Sequence, residues 1–281
     1  MEYFFPSLSD SSLWPQLRER YQGGKPFPHL VVDNFIPLER AQRLREVFPS
    51  ELDQNWISYK TVTDQKLGSR NPLEIPLELR QILNDLASVE VIAFLEEVTG
   101  INGLLADPWL RGGGLHQTSP GGFLDVHTDF NRHPKLSLVR RVNLIVYLTP
   151  DGWREEYNGQ LELWDKEGQT VGAKILPIFN RCVIFETSDS TLHGHPVPLA
   201  CPESWTRRSL ATYYYTVAGE SDVTTPARNT VYYSAARGER KSAHTGVWIA
   251  KPLVASAKVI ERISRKGRQY LSLLRKAIFG R

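Results

Sequence analysis

Apolar residues recur at three- and four-residue steps in two places in the first third of the chain. In "PLERAQRLREVF", beginning at Pro37, the residues Ala41, Leu44, Val47 and Phe48 share one side of a helical wheel, with the proline in a first-turn position. In "ELRQILNDLASVEVIAFLEEVTG", Leu79, Ile82, Leu83 and Leu86 and then Ile92, Leu95 and Val98 keep the same spacing until Gly100 offers a stop. The pattern predicts helices with loops, packed on the outside of something else.

From about Gly112 the period changes. Short runs rich in Val, Ile, Leu, Tyr and Phe follow one another, separated by Gly, Pro, Asn and Asp: "GGFLDVH", "VNLIVYL" (142–148), "QLELW" (160–164), "AKILPI" (173–178), "RCVIFET" (181–187) and "SLATYYYTV" (209–217). No helical pattern intervenes, so the connections are too short for parallel crossovers, and an antiparallel jelly roll of two sheets is expected. Phe179-Asn180-Arg181 suits a tight connection between two of these runs. Past Gly219 the sequence is irregular until "VASAKVIERISRKGRQYLSLLRKAIFGR". There Val259, Ile260, Ile263, Tyr270, Leu271, Leu274 and Ile278 line one side of a basic amphipathic helix broken near Gly267. The expected organisation is a mainly β chain with flanking α: N-terminal helices and loops over 1–111, a jelly-roll core of double-stranded β-helix type over 112–219, and an irregular segment with a C-terminal amphipathic helix over 220–281.

Composition narrows the class. A chain of 281 residues, 41% hydrophobic and 23% charged, buries a substantial core. It shows no uninterrupted apolar stretch of membrane-spanning length and no secretory leader pattern at its start, and a cytoplasmic location is expected. Cys182 and Cys201, the two cysteines, are too few for a disulfide scaffold or a thiolate zinc site. The net charge of +3 is concentrated at the end, where Lys258, Arg262, Arg265, Lys266, Arg268 and their basic neighbours stand against Glu261 alone. A nucleic-acid-binding core is therefore not expected. The basic helix either packs by its apolar stripe with a solvated face or makes a weak contact with an anionic surface.

The chemistry is concentrated in "HTDFN". His127 and Asp129 are two residues apart, and in a strand such residues point to one face and converge on one ion. A third ligand is offered by "SDSTLHGHPVP", in either His193 or His195. Two imidazoles and one carboxylate on a single octahedral face suit Fe(II) and leave three positions open. Iron of this kind needs a two-electron co-reductant such as 2-oxoglutarate, whose far carboxylate calls for a fixed cation. Arg207 is followed on its own face by Ser209 and Ala211, which leave space for a ligand, while Arg208 shares its face with Leu210 and Tyr214. Tyr147 either adds a donor or is core. His116 and Gln117 line a substrate mouth or belong to a surface loop, and His133 and His244 read as exposed.

Taken together, "HTDFN", "RRVNLIVYL", "NGQLELW", "NRCVIFETSDSTLHGHP" and "RRSLATYYYT" resemble the prolyl 4-hydroxylase-like branch of the 2-oxoglutarate/Fe(II)-dependent dioxygenases, over roughly 112–217. "KPFPHLVVDNFIPLERAQRL" is similar to the segment that often precedes this domain. The resemblance implies His127, Asp129 and His193 as iron ligands and catalytic residues. It also implies Arg207 on the 5-carboxylate, with Ser209 and Tyr147 beside it. Fe(II), 2-oxoglutarate and O2 are the implied cofactors, with ascorbate as an accessory reductant, and a small-molecule or peptide substrate is hydroxylated at an unactivated C–H. A carboxylate at 129, where halogenating relatives carry a small residue, favours hydroxylation. Asn158-Gly159 stands where the family commonly has two glycines, and the interval from His193 to Arg207 is longer than in the animal oxygen-sensing enzymes. The other readings are a cupin-like metal-binding jelly roll without turnover and a metal-assisted hydrolase, neither of which has a use for Arg207.

Overall fold

The computed structural model describes residues 5–53, 55–136, 138–219, 222 and 225–233. The amphipathic segment 251–281 and His244 lie outside the described residues.

The helices are α1 (Pro6–Ser9), α2 (Trp14–Gly23), α3 (Leu38–Glu46), α4 (Leu77–Asp85) and α5 (Val89–Thr99). The strands before the expected core are β1 (His29–Val32), β2 (Trp56–Lys60), β3 (Asp64–Ser69) and β4 (Leu105–Ala106). The core itself holds β5 (Gly114–Thr118), β6 (Phe123–Thr128), β7 (Leu138–Tyr147), β8 (Leu161–Trp164), β9 (Val171–Ile175), β10 (Cys182–Glu186), β11 (Leu192–His195) and β12 (Arg207–Val217), and β13 (Val231–Tyr233) follows. The long helical pattern is thus two helices. Ser88 breaks it, its hydroxyl accepting the Val91 N–H at 3.4 Å as an N-cap, and Gly100 closes the second helix in the left-handed conformation at φ 75°.

The strands form one antiparallel sheet in the order β1-β10-β7-β12-β5-β3-β6-β11-β8-β9. It curls so that its two halves face each other, which is the mainly β jelly-roll core expected. Contacts across the gap show the facing: Phe185 of β10 meets the His193 ring of β11 at 4.8 Å between centroids. Tyr147, Val183 and Phe185 also pack with Leu161 and Leu163.

The half-sheet of β10, β7 and β12 is buried on both faces, which is why its strands read as nearly continuous apolar runs. Its outer face, with Val142, Leu144, Val146, Ile184, Leu210 and Tyr214, packs in one cluster with Leu79, Ile82 and Leu83 of α4 and Phe94, Leu95 and Val98 of α5. Those side chains are almost fully buried, and each removes on the order of 2 kcal/mol of apolar surface from water. The helices therefore fix the position of a sheet whose inner face is free to carry polar chemistry.

The N-terminal region contributes more than helices and loops. β1 pairs with β10, and β3 joins the two halves by pairing with both β5 and β6. The turn before β10 is tied to the segment between β1 and α3 by Asn180, which sits at φ 60°. Its side-chain oxygen accepts the Ile36 N–H at 2.9 Å and its amide donates to the Ile36 carbonyl at 2.6 Å. His133 differs from its sequence reading: it is buried, its Nδ1 accepts the N–H groups of Lys135 and Leu136, and its Nε2 lies 3.5 Å from Asp107. Among the described residues, no helix is long and apolar enough to cross a membrane.

Candidate active site

His127 on β6 and His193 on β11 stand directly opposite each other in the ladder, with ring centroids 4.4 Å apart. The third ligand candidate is thus placed by a strand of its own, not by a loop after β10. Each imidazole is oriented by a backbone carbonyl: His127 Nδ1 lies 2.8 Å from Asp125 O, and His193 Nδ1 lies 3.1 Å from Thr191 O. An Nδ1–H donated to a carbonyl leaves the Nε2 lone pair free for a metal. His127 Nε2 is 3.7 Å from Asp129 Oδ1, and His193 Nε2 is 3.4 Å from Asp129 Oδ2. Three donors around one ion at about 2.1 Å and right angles stand about 3 Å apart, and the three ligand atoms lie within 4.8 Å of one another, so the set could enclose a divalent cation by contracting. Nitrogen and oxygen donors without thiolate suit Fe(II).

The protonation states agree with ligation. Burial first, and His193 next, lower His127 to about 3, so its imidazole is neutral. Burial alone would raise the Asp129 carboxyl, but Arg140 and then the two imidazoles hold it well below the usual carboxylate range. The Arg140 guanidinium reaches Asp129 Oδ2 at 3.0 Å, and the Asn143 amide donates to the same oxygen at 2.8 Å.

Arg140 reaches the interior through a local irregularity. In the β7–β12 ladder Val142 pairs with Tyr214, but the next partner of Tyr215 is Arg140, which leaves Arg141 as an extra residue. One inserted residue exchanges the faces of everything beyond it. Arg140 therefore turns inward, its guanidinium carbon 3.4 Å from the Tyr213 ring centroid, while Arg141 bonds Thr216 and Asp222.

Across the interior, Arg207 begins β12. It is 6% exposed, and its hydrogen bonds go to the Gly159 carbonyl at 2.8 Å and the Tyr147 hydroxyl at 3.1 Å. Among the described residues no carboxylate lies within ion-pair reach of it. A buried guanidinium without a counter-charge is costly unless an anion completes it. Ser209 pairs with Tyr147 in the ladder and is also buried on the inner face. Burial raises the Tyr147 phenol, which stays protonated as a donor. Arg208 is on the other face, half-buried over the Phe48 ring, with its Nε bound to Thr206. Gly159 at φ 78° admits no side chain, since a Cβ there would stand 2.5 Å from Leu199 and 3.2 Å from the Arg207 side chain.

His195 is buried on the same strand as His193, and its Nδ1 has no hydrogen-bond partner. Burial, then Arg207 and Lys66, hold its imidazole well below the ordinary value. His116 is on β5, opposite Ser209, not in a surface loop. Gln117 pairs with Arg208 and points away from that face. The sequence reading missed Lys66 and Tyr232: the Tyr232 ring lies 5.5 Å from that of His127, its hydroxyl 3.4 Å from Asp64, and Lys66 stands over the Tyr59 ring.

The curled antiparallel sheet thus carries a His/Asp/His cluster that could hold a metal ion on one wall and a buried arginine without a carboxylate partner among the described residues on the other. Residues 113–215 match the family model of the 2OG-Fe(II) oxygenase superfamily, and this part of the chain is similar to that family. The fold is similar to a Pseudomonas putida prolyl-4-hydroxylase, at 17% identity over 72% of this chain and 100% of that one, with a TM-score of 0.50. It is also similar to a Trichoplax adhaerens prolyl hydroxylase solved with a hypoxia inducible factor peptide fragment, at 16% identity over 76% and 96% of the two chains, TM-score 0.53. A third similar structure is the α-ketoglutarate-dependent epimerase SnoN of nogalamycin biosynthesis, at 10% identity over 81% and 88%, TM-score 0.51. No curated protein matches the chain by sequence. The protein is an oxygenase that uses Fe(II), 2-oxoglutarate and O2.

Proposed function

We propose that His127, Asp129 and His193 hold Fe(II), that Arg207 grips the 5-carboxylate of 2-oxoglutarate, and that the enzyme hydroxylates an unactivated C–H of a small-molecule or peptide substrate. The observation that carries this reading is the buried Arg207, which has no carboxylate partner among the described residues and lies in the same interior as the His/Asp/His cluster. Storage of a metal or hydrolysis has no use for such a cation.

Each residue has a separate task. The carbonyls of Asp125 and Thr191 fix the ring orientation of the two imidazoles, and Arg140 with Asn143 keeps Asp129 anionic and aimed at them. Arg207 supplies a planar fork for a carboxylate, Tyr147 adds a hydroxyl beside it, and Ser209 leaves room. Fe(II), once bound, supplies the oxidative chemistry by which O2, 2-oxoglutarate and R–H become R–OH, succinate and CO2. Tyr232, Asp64, Lys66 and His116 surround the metal side of the interior and are assigned to the substrate mouth. The two buried, unbridged cysteines and the demand for Fe(II) suit a reducing, cytoplasmic compartment. The basic segment 251–281 either packs on the domain by its apolar stripe with a solvated basic face or makes a weak contact with an anionic surface, and co-sedimentation with anionic vesicles decides between the two.

A panel of metabolites and proline-containing peptides, incubated with Fe(II), 2-oxoglutarate and O2, tests the reading. Succinate release matched by one added oxygen on a panel member supports it. Succinate no faster than from iron in buffer, with every member unchanged, counts against it.

A further inference from the structure

We infer that His195 is a third donor to the 5-carboxylate of 2-oxoglutarate, completing with Arg207 and Tyr147 a cradle at the closed end of the interior. This rests on the reading of Arg207 given above. The position follows from the ladder: β11 runs past β8 with His193 opposite Leu163 and Gly194 opposite Glu162. The next step along β11 therefore leads away from the metal wall toward Leu161 and Gly159, and Gly159 is the residue whose carbonyl holds Arg207 Nε at 2.8 Å. Gly194 packs outward against the backbone of Asp125, so the residues on either side of it, His193 and His195, turn inward.

What surrounds His195 points the same way. The ring is 4% exposed, and its Nδ1 is sealed from solvent without a partner. A polar atom so placed in a folded protein calls for an explanation, because buried polar atoms are almost always hydrogen-bonded. In the tautomer that carries its proton on Nδ1 the imidazole has a donor to offer, and a carboxylate gripped by Arg207 and Tyr147 keeps lone pairs to spare. Binding of that carboxylate next to His195 satisfies both. The metal set is already complete with His127, Asp129 and His193, so His195 serves the co-substrate and not the iron.

The test uses the full chain loaded with Fe(II) under anaerobic conditions, with affinity read by calorimetry. Two ligands are compared: 2-oxoglutarate and 2-oxovalerate, which has the same chain length without the 5-carboxylate. His195→Phe, which keeps a ring but no donor, should weaken 2-oxoglutarate binding about tenfold, the loss of one charge-assisted hydrogen bond. It should leave 2-oxovalerate within about twofold of wild type. His195→Gln, which restores a donor, should recover most of the loss. Fe(II) affinity without either acid should be unchanged in both variants. Equal loss for the two acids would make His195 a packing residue and overturn the inference, and so would unchanged 2-oxoglutarate affinity in His195→Phe. Loss of Fe(II) binding would make it a metal ligand instead. Failure of the wild-type protein to bind 2-oxoglutarate would remove the reading of Arg207 itself, and the inference with it.

Discussion

Arg140 forms a 3.0 Å ion pair with Asp129 Oδ2, and it does so from a strand whose simple alternation would aim it at the opposite face. The bulge at Arg141 thus brings a fixed positive charge to the one carboxylate of the metal cluster. Partners of this kind orient a ligand and are commonly worth 10- to 100-fold in metal affinity. Arg140→Met, which keeps contact with Tyr213 and Phe130, should lower Fe(II) affinity by about that factor. The sign with pH follows from the charge: Arg140 depresses the Asp129 carboxyl, so removing it raises that group and lets protons compete at higher pH. Release of iron on acidification should therefore begin at higher pH in the variant, measured by a chelator assay across a pH series.

The two arginines at the start of β12 separate cleanly by face. Arg207→Ala should weaken 2-oxoglutarate binding by roughly a hundredfold or more, since the buried carboxylate loses its counter-charge, with iron binding little changed. Arg208→Ala, on the outer face over Phe48, should change it by less than about tenfold. Arg207→Lys should recover only part of the loss, because an ammonium cannot reproduce the planar fork. Titration of the Fe(II) forms with 2-oxoglutarate decides between these outcomes.

Much of this arrangement is legible in the sequence because it obeys the two simple periods. The strand containing His127 and the strand opening at Arg207 show their inner and outer faces by alternation, and α4 and α5 show theirs by three- and four-residue steps. The elements that escape are those where something else sets the pattern. β3, "DQKLGS", joins two half-sheets beside the site, so its inner positions Asp64 and Lys66 are polar and it lacks the apolar alternation of a strand. β1 is four residues long and finds its place by pairing with β10. The break between α4 and α5 is masked because Leu86 and Val91 enter the same core. Arg140 is hidden by the bulge, which no count of periods registers, whereas Asn143 shares the inner face with Tyr147 by simple alternation. The pair Arg140-Arg141 inside an otherwise apolar strand is the one signal that could have marked it.

Asn180 gives a test of the scaffold that leaves the site chemistry untouched. Its amide bridges both polar groups of Ile36 while its backbone adopts φ 60°, a conformation asparagine tolerates better than most residues. Asn180→Ala should cost about 3 kcal/mol, combining an unmet buried backbone pair with left-handed strain. Asn180→Gly should cost less, because it relieves the strain alone. Urea unfolding of the two variants separates the hydrogen-bond share from the conformational one.

The most direct measurement is the visible absorption of the Fe(II)-loaded protein as 2-oxoglutarate is added without oxygen. A weak charge-transfer band, the signature of a 2-oxo acid bound to Fe(II), is expected in the wild type and should be absent in His127→Ala and Asp129→Ala. A wild-type protein that shows no band, and that takes up zinc to higher occupancy than iron under the same conditions, would contradict the assignment of His127, Asp129 and His193 to an oxygenase iron.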